Sequence, residues 1–296
     1  MEKGRPLDLI LYVIITATVI TVLVLIEYGV VPLLRPLGFM CGDPKLSHKF
    51  AGDTVSPKLL ISVTAASPLV IVLLTEWWCS KSGPHRSWVK QSLIWYMDFL
   101  AGFLLLTTVI VICKCMVGEP RPHFLDTCQP KEAINCSQKF VTNFNCQNKN
   151  ASQYFISDAS KSFPSGHAAF SFYLFIFVAW FLQTRLHRVQ PIVLIWLQTI
   201  CFLWASFCAL SRITDHRHHW WDVLAGALLG TFIGVCSVKS FCCGFRTEMN
   251  HSITTNKDGK SNEPMKFATV GERNVSTRWL LEKNSNYSTE NVSSIM

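Results

Sequence analysis

Six apolar stretches, separated by polar segments, divide the part of the chain that precedes Gly244. A helix needs about 20 residues to cross the hydrocarbon core of a bilayer, and about 17 residues is the short limit. The fourth and sixth stretches are shorter than this, so we expect their flanking polar residues at the membrane interface. The pattern therefore predicts an all-α, polytopic membrane bundle of six transmembrane helices, with spans at Leu9–Ile26, Leu59–Thr75, Leu93–Cys113, Ala168–Leu182, Ile192–Leu210 and Val223–Val238.

The polar segments suggest one domain followed by a tail. The longest loop, 114–167, lies between the third and fourth spans. From Gly244 onward the chain is rich in Asn, Ser, Thr and Lys and has no long amphipathic stretch, which is typical of disorder. We therefore predict a six-span membrane domain at 1–243 and a disordered tail at 244–296.

The composition fits a membrane protein better than a soluble one. Apolar residues make up 50% of the chain and charged residues 16%, whereas a soluble domain has about 25% charged residues. The mean hydropathy is +0.29. The net charge of +8 arises from basic residues between the apolar stretches and in the tail. The bilayer is therefore the expected environment, and no nucleic-acid partner is predicted.

Basic residues also predict the orientation of the chain. Lys and Arg occur before the first span and in the short links 76–92 and 183–191. Six spans place these segments on one side, which the positive-inside rule makes cytoplasmic. Both termini would then be cytoplasmic and the loop 114–167 extracytoplasmic. Glycosylation motifs beginning at Asn135 and Asn150 in that loop agree with this orientation and predict modification there.

Cysteines in the loops agree with the same orientation. Cys41, Cys128, Cys136 and Cys146 all fall in segments assigned to the oxidising side, where disulfides persist. One or two disulfides are predicted. Four cysteines allow three pairings, and the spacing does not choose among them.

Polar side chains are concentrated at four span ends that face the same way. By parity of crossing, the ends of spans three and five and the starts of spans four and six share one side of the membrane. These side chains are expected to form one site at the extracytoplasmic surface. The residues are Lys114, Arg121, Ser165, Gly166, His167, Arg212, His218 and Asp222.

The cations and the helix start in this set suit a phosphate group. We expect no matched acid near Lys114, Arg121 and Arg212, and Arg and Lys bind phosphate oxygens well. Ser165 and Gly166 open the fourth span, where free backbone N–H groups favour an anion.

The remaining residues suit acid–base and nucleophilic chemistry. His218 and Asp222 are four residues apart, so on a helix the carboxylate would orient the imidazole and leave its other nitrogen free to attack phosphorus. His167, beside the helix start, could protonate the leaving group. No metal site is predicted.

Each residue also has a simpler interpretation. A single Lys or Arg at a span end usually reaches the headgroup region. Pro164–His167 alone could be a turn with Ser165 as the helix cap. The histidine- and tryptophan-rich run 216–221 could be an interfacial cluster or a weak metal site. None of these alternatives explains why the whole set falls on one side.

Taken together, the motifs resemble the signature of a known family. Lys114-x6-Arg121-Pro122, Pro164-Ser-Gly-His167 and Ser211-Arg212-x5-His218-x3-Asp222 are similar to the three-part signature of the type 2 phosphatidic acid phosphatase superfamily. No signature position departs from it. The six spans, the long loop and the polar tail resemble its lipid phosphate phosphatase (phospholipid phosphatase) branch. The resemblance covers about residues 7–243.

This resemblance implies a function and a role for each residue. Family members remove phosphate from phosphatidate, lysophosphatidate, sphingosine 1-phosphate or ceramide 1-phosphate through a phosphohistidine, without a metal or other cofactor. His218 would be the nucleophile, Asp222 its orienting partner, and His167 the acid that later activates water. The phosphate-binding residues would be Lys114, Arg121, Ser165, Gly166 and Arg212. The resemblance also favours the plasma membrane over an endomembrane.

Other interpretations stay open at this point. A catalytically inactive relative could act as a membrane scaffold or signalling adaptor, although such relatives typically lose the nucleophile or the cations. A sugar phosphatase of the glucose 6-phosphatase group would have about nine spans, more than the six predicted. Homo-oligomers are known in the family. The small-residue row Gly226, Gly230 and Gly234 could be an oligomer face, but packing within the monomer is favoured.

Overall fold

The computed structural model describes residues 6–27, 37–80, 88–134, 136–187 and 189–245, and most of them are helical. Two-residue strands, β1 (Phe39–Met40) and β2 (Phe140–Val141), pair antiparallel. Short 3₁₀ turns lie at Pro44–Leu46, Lys131–Ala133 and Cys243–Phe245. In chain order the α-helices are α1 (Pro6–Glu27), α2 (Pro57–Ser80), α3 (Trp88–Val117), α4 (Phe124–Cys128), α5 (Gln153–Asp158), α6 (Gly166–Arg185), α7 (Pro191–Thr214) and α8 (Trp220–Ser240).

The long helices confirm the prediction of an all-α membrane bundle. Within the described ranges, α2, α3, α6, α7 and α8 are long and apolar enough to cross a bilayer. The helix α1 has 22 residues and covers the first predicted span. Each helix extends past its predicted span because interfacial residues continue it. For example, α2 runs beyond Thr75 through Trp77 and Trp78.

The helix α6 lies at the centre of the bundle and packs against α2, α3, α7 and α8. Its closest approach is to α8. A Cβ added at Gly226 would collide with the carbonyl oxygen of Ser165, and one at Gly230 with that of Ala169. The glycine row on α8 therefore serves packing within the monomer.

The loops before α2 and between α3 and α6 form a small layer where α3 ends and α6 begins. Phe39, Phe124 and Phe144 pack together inside it. Disulfides join Cys41 to Cys136 and Cys128 to Cys146. The prediction of disulfides among the four loop cysteines is confirmed, and the structure selects one of the three pairings.

At the other ends of α2 and α6, a second set of contacts joins the helices. Arg185 donates from Nε and Nη2 to the carboxylate of Glu76, at 2.6 and 3.0 Å. Phe245, just after α8, is buried against Trp95, Phe177 and Phe181. The rest of the predicted tail, 246–296, lies outside the described residues, as does Asn135. Asn150 is exposed, and its glycosylation stays a prediction.

Candidate active site

A cavity of about 430 Å³ opens where the loop layer meets the bundle. One part of its wall is apolar and comes from four helices, with Leu23, Val24, Leu60, Ile61, Ile110, Val111 and Phe170 among the lining residues. The other part is polar. It includes six of the eight predicted site residues, namely Lys114, Arg121, Gly166, His167, Arg212 and His218. The structure therefore brings together segments that are far apart in the sequence.

His218 lies between a cation and a carboxylate. Nη1 of Arg121 is 3.3 Å from Nε2 of His218, and Oδ2 of Asp222 is 3.5 Å from Nδ1. An arginine can only donate, so Nε2 must be the acceptor, and the network assigns the proton to Nδ1. The imidazole therefore presents an unprotonated Nε2 beside the arginine.

Asp222 is fixed by its own contacts at the start of α8. Its Oδ2 accepts from the hydroxyl of Ser162 at 2.6 Å and from the backbone N–H of His219 at 2.9 Å. His218 lies in the turn before α8 and not on the helix, so the predicted helical spacing was wrong in detail. The two side chains still meet, because Asp222 belongs to the first turn and its carboxylate reaches back toward the helix start.

The segment that opens α6 lies against this pair. Ser165 caps the helix, as the simpler interpretation expected, and its N–H donates to the carbonyl of Asp222 at 3.0 Å. Gly166 and His167 form the first turn and line the cavity. Nε2 of His167 is 3.0 Å from the carbonyl oxygen of Val55, before α2. This contact holds the ring at the edge of the site.

The predicted cations are not unmatched, contrary to the sequence interpretation. Arg121 donates to Asp158 at 2.6 Å. Arg212, which is fully buried, contacts Asp53 at 2.8 Å and Asp215 at 2.7 Å. The matching acids were overlooked because Asp53 and Asp158 come from distant loops and Asp215 from the turn after α7.

Arg217 joins these ion pairs into one row. It contacts Asp158 through Nη2 at 3.1 Å and Asp53 through Nε at 3.2 Å. Positive and negative groups therefore alternate from Arg121 to Asp158, Arg217, Asp53, Arg212 and Asp215. We call this set the charge row. It holds both predicted phosphate-binding arginines in place while leaving them on the cavity wall.

Burial and charge set the protonation states of two groups in the site. Burial, together with the positive charges of Arg121 and Lys114, lowers the pKa of His218 well below its usual value. Burial alone would raise the pKa of Asp158, but Arg121, Lys114 and Arg217 lower it to about 2. The imidazole is therefore neutral and the carboxylate ionised near neutral pH.

Lys114, in the last turn of α3, places its ammonium group 2.8 Å from the carbonyl oxygen of Lys161. It is thereby held on the cavity wall opposite the start of α6. Within the described ranges, no group of three or more His, Cys, Asp or Glu side chains is arranged to hold a metal ion.

Comparison with known families identifies the superfamily of the chain. A model described as the PAP2 superfamily matches residues 95–241, a range that contains all eight predicted site residues. The chain belongs to the PAP2 superfamily. The resemblance drawn from the three motifs is thus confirmed.

Curated relatives agree with PAP2 membership. The Drosophila melanogaster protein named "Putative phosphatidate phosphatase" is 30% identical over 221 residues, which cover 66% of this chain and 58% of that protein. Phospholipid phosphatase 2 of Homo sapiens is 29% identical, over 69% of this chain and 74% of its own. Phospholipid phosphatase 1 of Rattus norvegicus is 28% identical, over 71% of this chain and 77% of its own. No solved structure matches the chain.

Sequence reasoning missed several residues of this PAP2 site. Arg217 lines the cavity and lies within the third motif, but at a position that the signature leaves open. Nη1 of Arg217 is 3.0 Å from Nε2 of His123, a buried residue. The one local signal for Arg217 in the sequence was its position directly before His218. Asp53, Asp158 and His123 offer none. Asp53 lies in the irregular segment before α2, whereas Asp158 ends the short helix α5 and His123 precedes α4, and no sequence pattern predicted these short helices.

Proposed function

We propose that this chain, a PAP2-superfamily phosphatase with several membrane-spanning helices, hydrolyses the phosphate monoester of membrane lipids. The observation that carries the proposal is the two-part cavity, with apolar walls on the bundle helices and cations around His218 at the loop layer. Such a cavity suits a molecule with an acyl chain and a phosphate. Relatives named phospholipid phosphatase support this substrate class.

In this proposal the phosphate lies among Lys114, Arg121 and Arg212 and at the start of α6, which Ser165 and Gly166 form. The N–H of Ser165 is donated to the carbonyl of Asp222, so the free N–H groups there are those of Gly166 and the residues after it. The guanidinium groups and the helix start would donate hydrogen bonds to the non-bridging oxygens and stabilise the negative charge of the transition state. The hydrocarbon chains would lie along the apolar wall. Phosphatidate, lysophosphatidate, sphingosine 1-phosphate and ceramide 1-phosphate all join at least one long hydrocarbon chain to a phosphate monoester.

The first chemical step would transfer the phosphoryl group to His218. Nε2 attacks phosphorus and the bond from phosphorus to the ester oxygen breaks. In the substrate complex the negative phosphate favours protonation of His167 at Nδ1, while its Nε2–H donates to the carbonyl of Val55. His167 then gives the Nδ1 proton to the departing alkoxide. Asp222, which faces Nδ1, stabilises the positive charge that the ring gains.

The second step would hydrolyse the phosphohistidine. Water attacks phosphorus while His167, now neutral, takes its proton. The bond from phosphorus to Nε2 breaks and its electron pair returns to the ring. Orthophosphate is released and both histidines regain their starting states. Charge stabilisation by the cations suffices for this route, so no cofactor is required.

We also propose that the site faces the extracellular or lumenal side, with both termini cytoplasmic. The two disulfides lie in the loop layer beside the site, and disulfides persist in oxidising compartments. A plasma-membrane location follows from family resemblance. The membrane domain at 1–243 would carry the activity, and the tail at 244–296 would lie in the cytoplasm.

An inactive scaffold is the competing function. The intact contacts among Arg121, His218 and Asp222 argue against it, because they keep a neutral nucleophile and its orienting carboxylate together. A scaffold would have no need for this buried arrangement.

Release of phosphate from phosphatidate in detergent micelles with excess chelator tests the function. Wild type should turn over, and His218→Ala should lose activity by about a thousandfold or more. His167→Ala should form a slowly accumulating phosphoenzyme because its acid is missing. Replacing the exposed His187 by Ala is the matched control and should change nothing. Turnover in His218→Ala equal to wild type would refute the nucleophile assignment, and an inactive, folded wild type would favour the scaffold.

A further inference from the structure

His218 also lines a second cavity, of about 270 Å³. Of the residues on the two linings, His218 is common to both. The described residues that line the second cavity include no Asp or Glu, and basic or aromatic side chains predominate. Glu119 and Asp222 lie behind the lining, where they accept hydrogen bonds from Trp221 and His219. The lining residues are Lys45, His48, Pro122, Ile213, His216, His218, His219, Trp220 and Trp221.

Two imidazoles in this cavity are available as donors. The rings of His48 and His216 stack with centroids 4.0 Å apart and an interplanar angle of 12°. Neither ring makes a hydrogen bond to another described residue. Their backbones are fixed, since the N–H of His48 donates to Pro122 and that of His216 to Ile213. Two cationic rings this close repel one another unless an anion lies beside them.

Of the other polar residues on the lining, Lys45 is a third hydrogen-bond donor and His219 forms part of the wall. The ammonium group of Lys45 lies 5.9 Å from the ring centroid of Trp221, at the cavity. His219 is already engaged, because its Nε2 contacts the carbonyl oxygen of Pro120 at 3.2 Å and its ring stacks on Trp221. Lys45, His48 and His216 are thus the groups that a small anion would meet.

The two cavities differ in the molecule that each can accept. The first has the apolar wall, and a lipid lying along it would obstruct the way out for an anion. The second has no carboxylate on its described lining, so it would attract an anion. We propose that the second cavity, which we call the exit vestibule, binds the orthophosphate released from His218 and passes it to water. This inference rests on the proposed function.

The chemistry of release fits the vestibule. When water attacks the phosphohistidine, an oxygen–phosphorus bond forms, the bond to Nε2 breaks, and the proton of water goes to His167. The product is an orthophosphate anion beside His218, which forms part of the vestibule wall. Lys45 then provides the next positive charge along its route, and the stacked rings provide N–H donors.

Inhibition of the full-length wild type by inorganic phosphate, measured at several surface fractions of phosphatidate in mixed micelles, tests the vestibule. Phosphate is the last product to leave, so binding at the catalytic site alone gives competitive inhibition. Occupancy of the vestibule while lipid fills the first cavity adds a noncompetitive component. We expect wild type to show both.

Two variants should remove the noncompetitive component selectively. Lys45→Ala and His216→Asn should each raise its inhibition constant about tenfold, the effect of one lost charged contact, while the competitive constant changes less than twofold. Asn is chosen because residue 216 has a positive φ of 52°, which Asn tolerates. Lys49→Ala, in the same loop but not on the lining, is the control and should behave as wild type.

The possible failures can be distinguished. Purely competitive inhibition of an active wild type, or a noncompetitive component unchanged in both variants, would overturn the vestibule and leave the proposed function standing. If the variants relieve inhibition by excess phosphatidate but not by inorganic phosphate, the cavity takes a lipid headgroup and the orthophosphate assignment is wrong. A folded wild type without any activity would overturn both proposals.

Discussion

Arg217 occupies the middle of the charge row that joins Arg121 to Arg212. Its guanidinium group lies 5.1 and 5.6 Å from the ring centroids of Phe50 and Phe155, and its side chain is 9% exposed. Breaking one partner of a buried ion pair is costly because the remaining charge stays buried. Arg217 balances two carboxylates at once, so its removal should affect both Arg121 and Arg212, the arginines proposed to bind phosphate.

We predict that Arg217→Met, which keeps an unbranched side chain but loses the charge, destabilises the protein by about 3–5 kcal/mol. It should also lower kcat/KM by about tenfold or more, because Asp53 and Asp158 would draw Arg212 and Arg121 away from phosphate. Arg217→Lys keeps the charge but loses the planar guanidinium group, so its stability and its kcat/KM should lie between those of wild type and Arg217→Met. Thermal unfolding and kcat/KM on phosphatidate provide the measurement. A Met variant equal to wild type in both would show that the charge row does not position the arginines.

Glu119, just after α3, should give the folded protein a distinct pH dependence. Burial and the charge of Asp222 raise its pKa to about 7, above the usual value of 4.5. Between these two pH values the folded state holds a proton that the unfolded state has released, so this contribution to stability falls as pH rises. Oε1 also accepts from the indole N–H of Trp221 at 2.9 Å, a contact that an amide can keep.

Glu119→Gln should therefore raise the unfolding temperature relative to wild type at pH 8 and have little effect at pH 5. The amide imitates the protonated acid and adds no charge beside Asp222. Unfolding scans of both proteins at the two pH values test this. An equal shift at both values would mean that the carboxylate of Glu119 is not the cause.

At the residue scale, the sequence predicted the site residues that stand at motif positions and missed the site residues that do not. Arg121, His218 and Asp222 stand at fixed spacings at span ends, and parity alone places them on one side. Asp53 comes from an irregular loop and Asp158 from the end of the short helix α5, and no periodicity in the sequence indicates where either side chain points. The contacts between them are decided by how the loops fold, which a single sequence does not reveal.

At the scale of elements, the contact between α6 and α8 positions the segments that carry the proposed catalytic residues. Gly226 lets the backbone of α8 approach the carbonyl of Ser165, directly before Gly166 and His167. The same contact keeps Asp222 hydrogen-bonded to Ser165. A side chain at 226 would push apart the two segments that hold the histidines.

We predict that Gly226→Ala costs about 1–3 kcal/mol of stability, the usual range for overpacking, and lowers kcat more than KM. Gly234→Ala is the matched control on the same row. Its added Cβ would lie 3.1 Å from side-chain atoms of Ile176, which can yield, so its effects should be smaller. If both variants had equal effects on kcat, the contact at Ser165 would have no special role in catalysis.

The long helices were predictable from sequence and the short elements were not. The length of an apolar stretch is enough to predict a membrane-spanning helix. Only the ends of these helices were predicted wrongly, because polar residues continue each helix beyond its apolar stretch. The helices α4 and α5 and the strand β2 lie in the loop between α3 and α6, and β1 lies in the segment before α2. Neither segment carries a regular pattern. These elements form because the two segments pack together and are closed by disulfides, which are contacts between residues distant in sequence.

At the scale of the whole molecule, the two disulfides of the loop layer close loops of very different length. Cys41–Cys136 joins the segment before α2 to the loop between α3 and α6, across a sequence separation of 95. Cys128–Cys146 closes a separation of 18 within that second loop. The first bond thus connects the two segments that supply Asp53 and Asp158, the carboxylates on either side of Arg217.

We therefore predict that the paired substitution Cys41→Ser and Cys136→Ser is the more harmful. Chain entropy alone makes the longer closure stabilise by about 1.5 kcal/mol more than the shorter one. Loss of the longer link should also loosen the charge row and raise KM for phosphatidate, while Cys128→Ser with Cys146→Ser should mainly lower the unfolding temperature. Unfolding scans and steady-state kinetics on both variants make the comparison. A larger rise in KM in the second variant would mean that the loop between α3 and α6, by itself, holds the arginines in place.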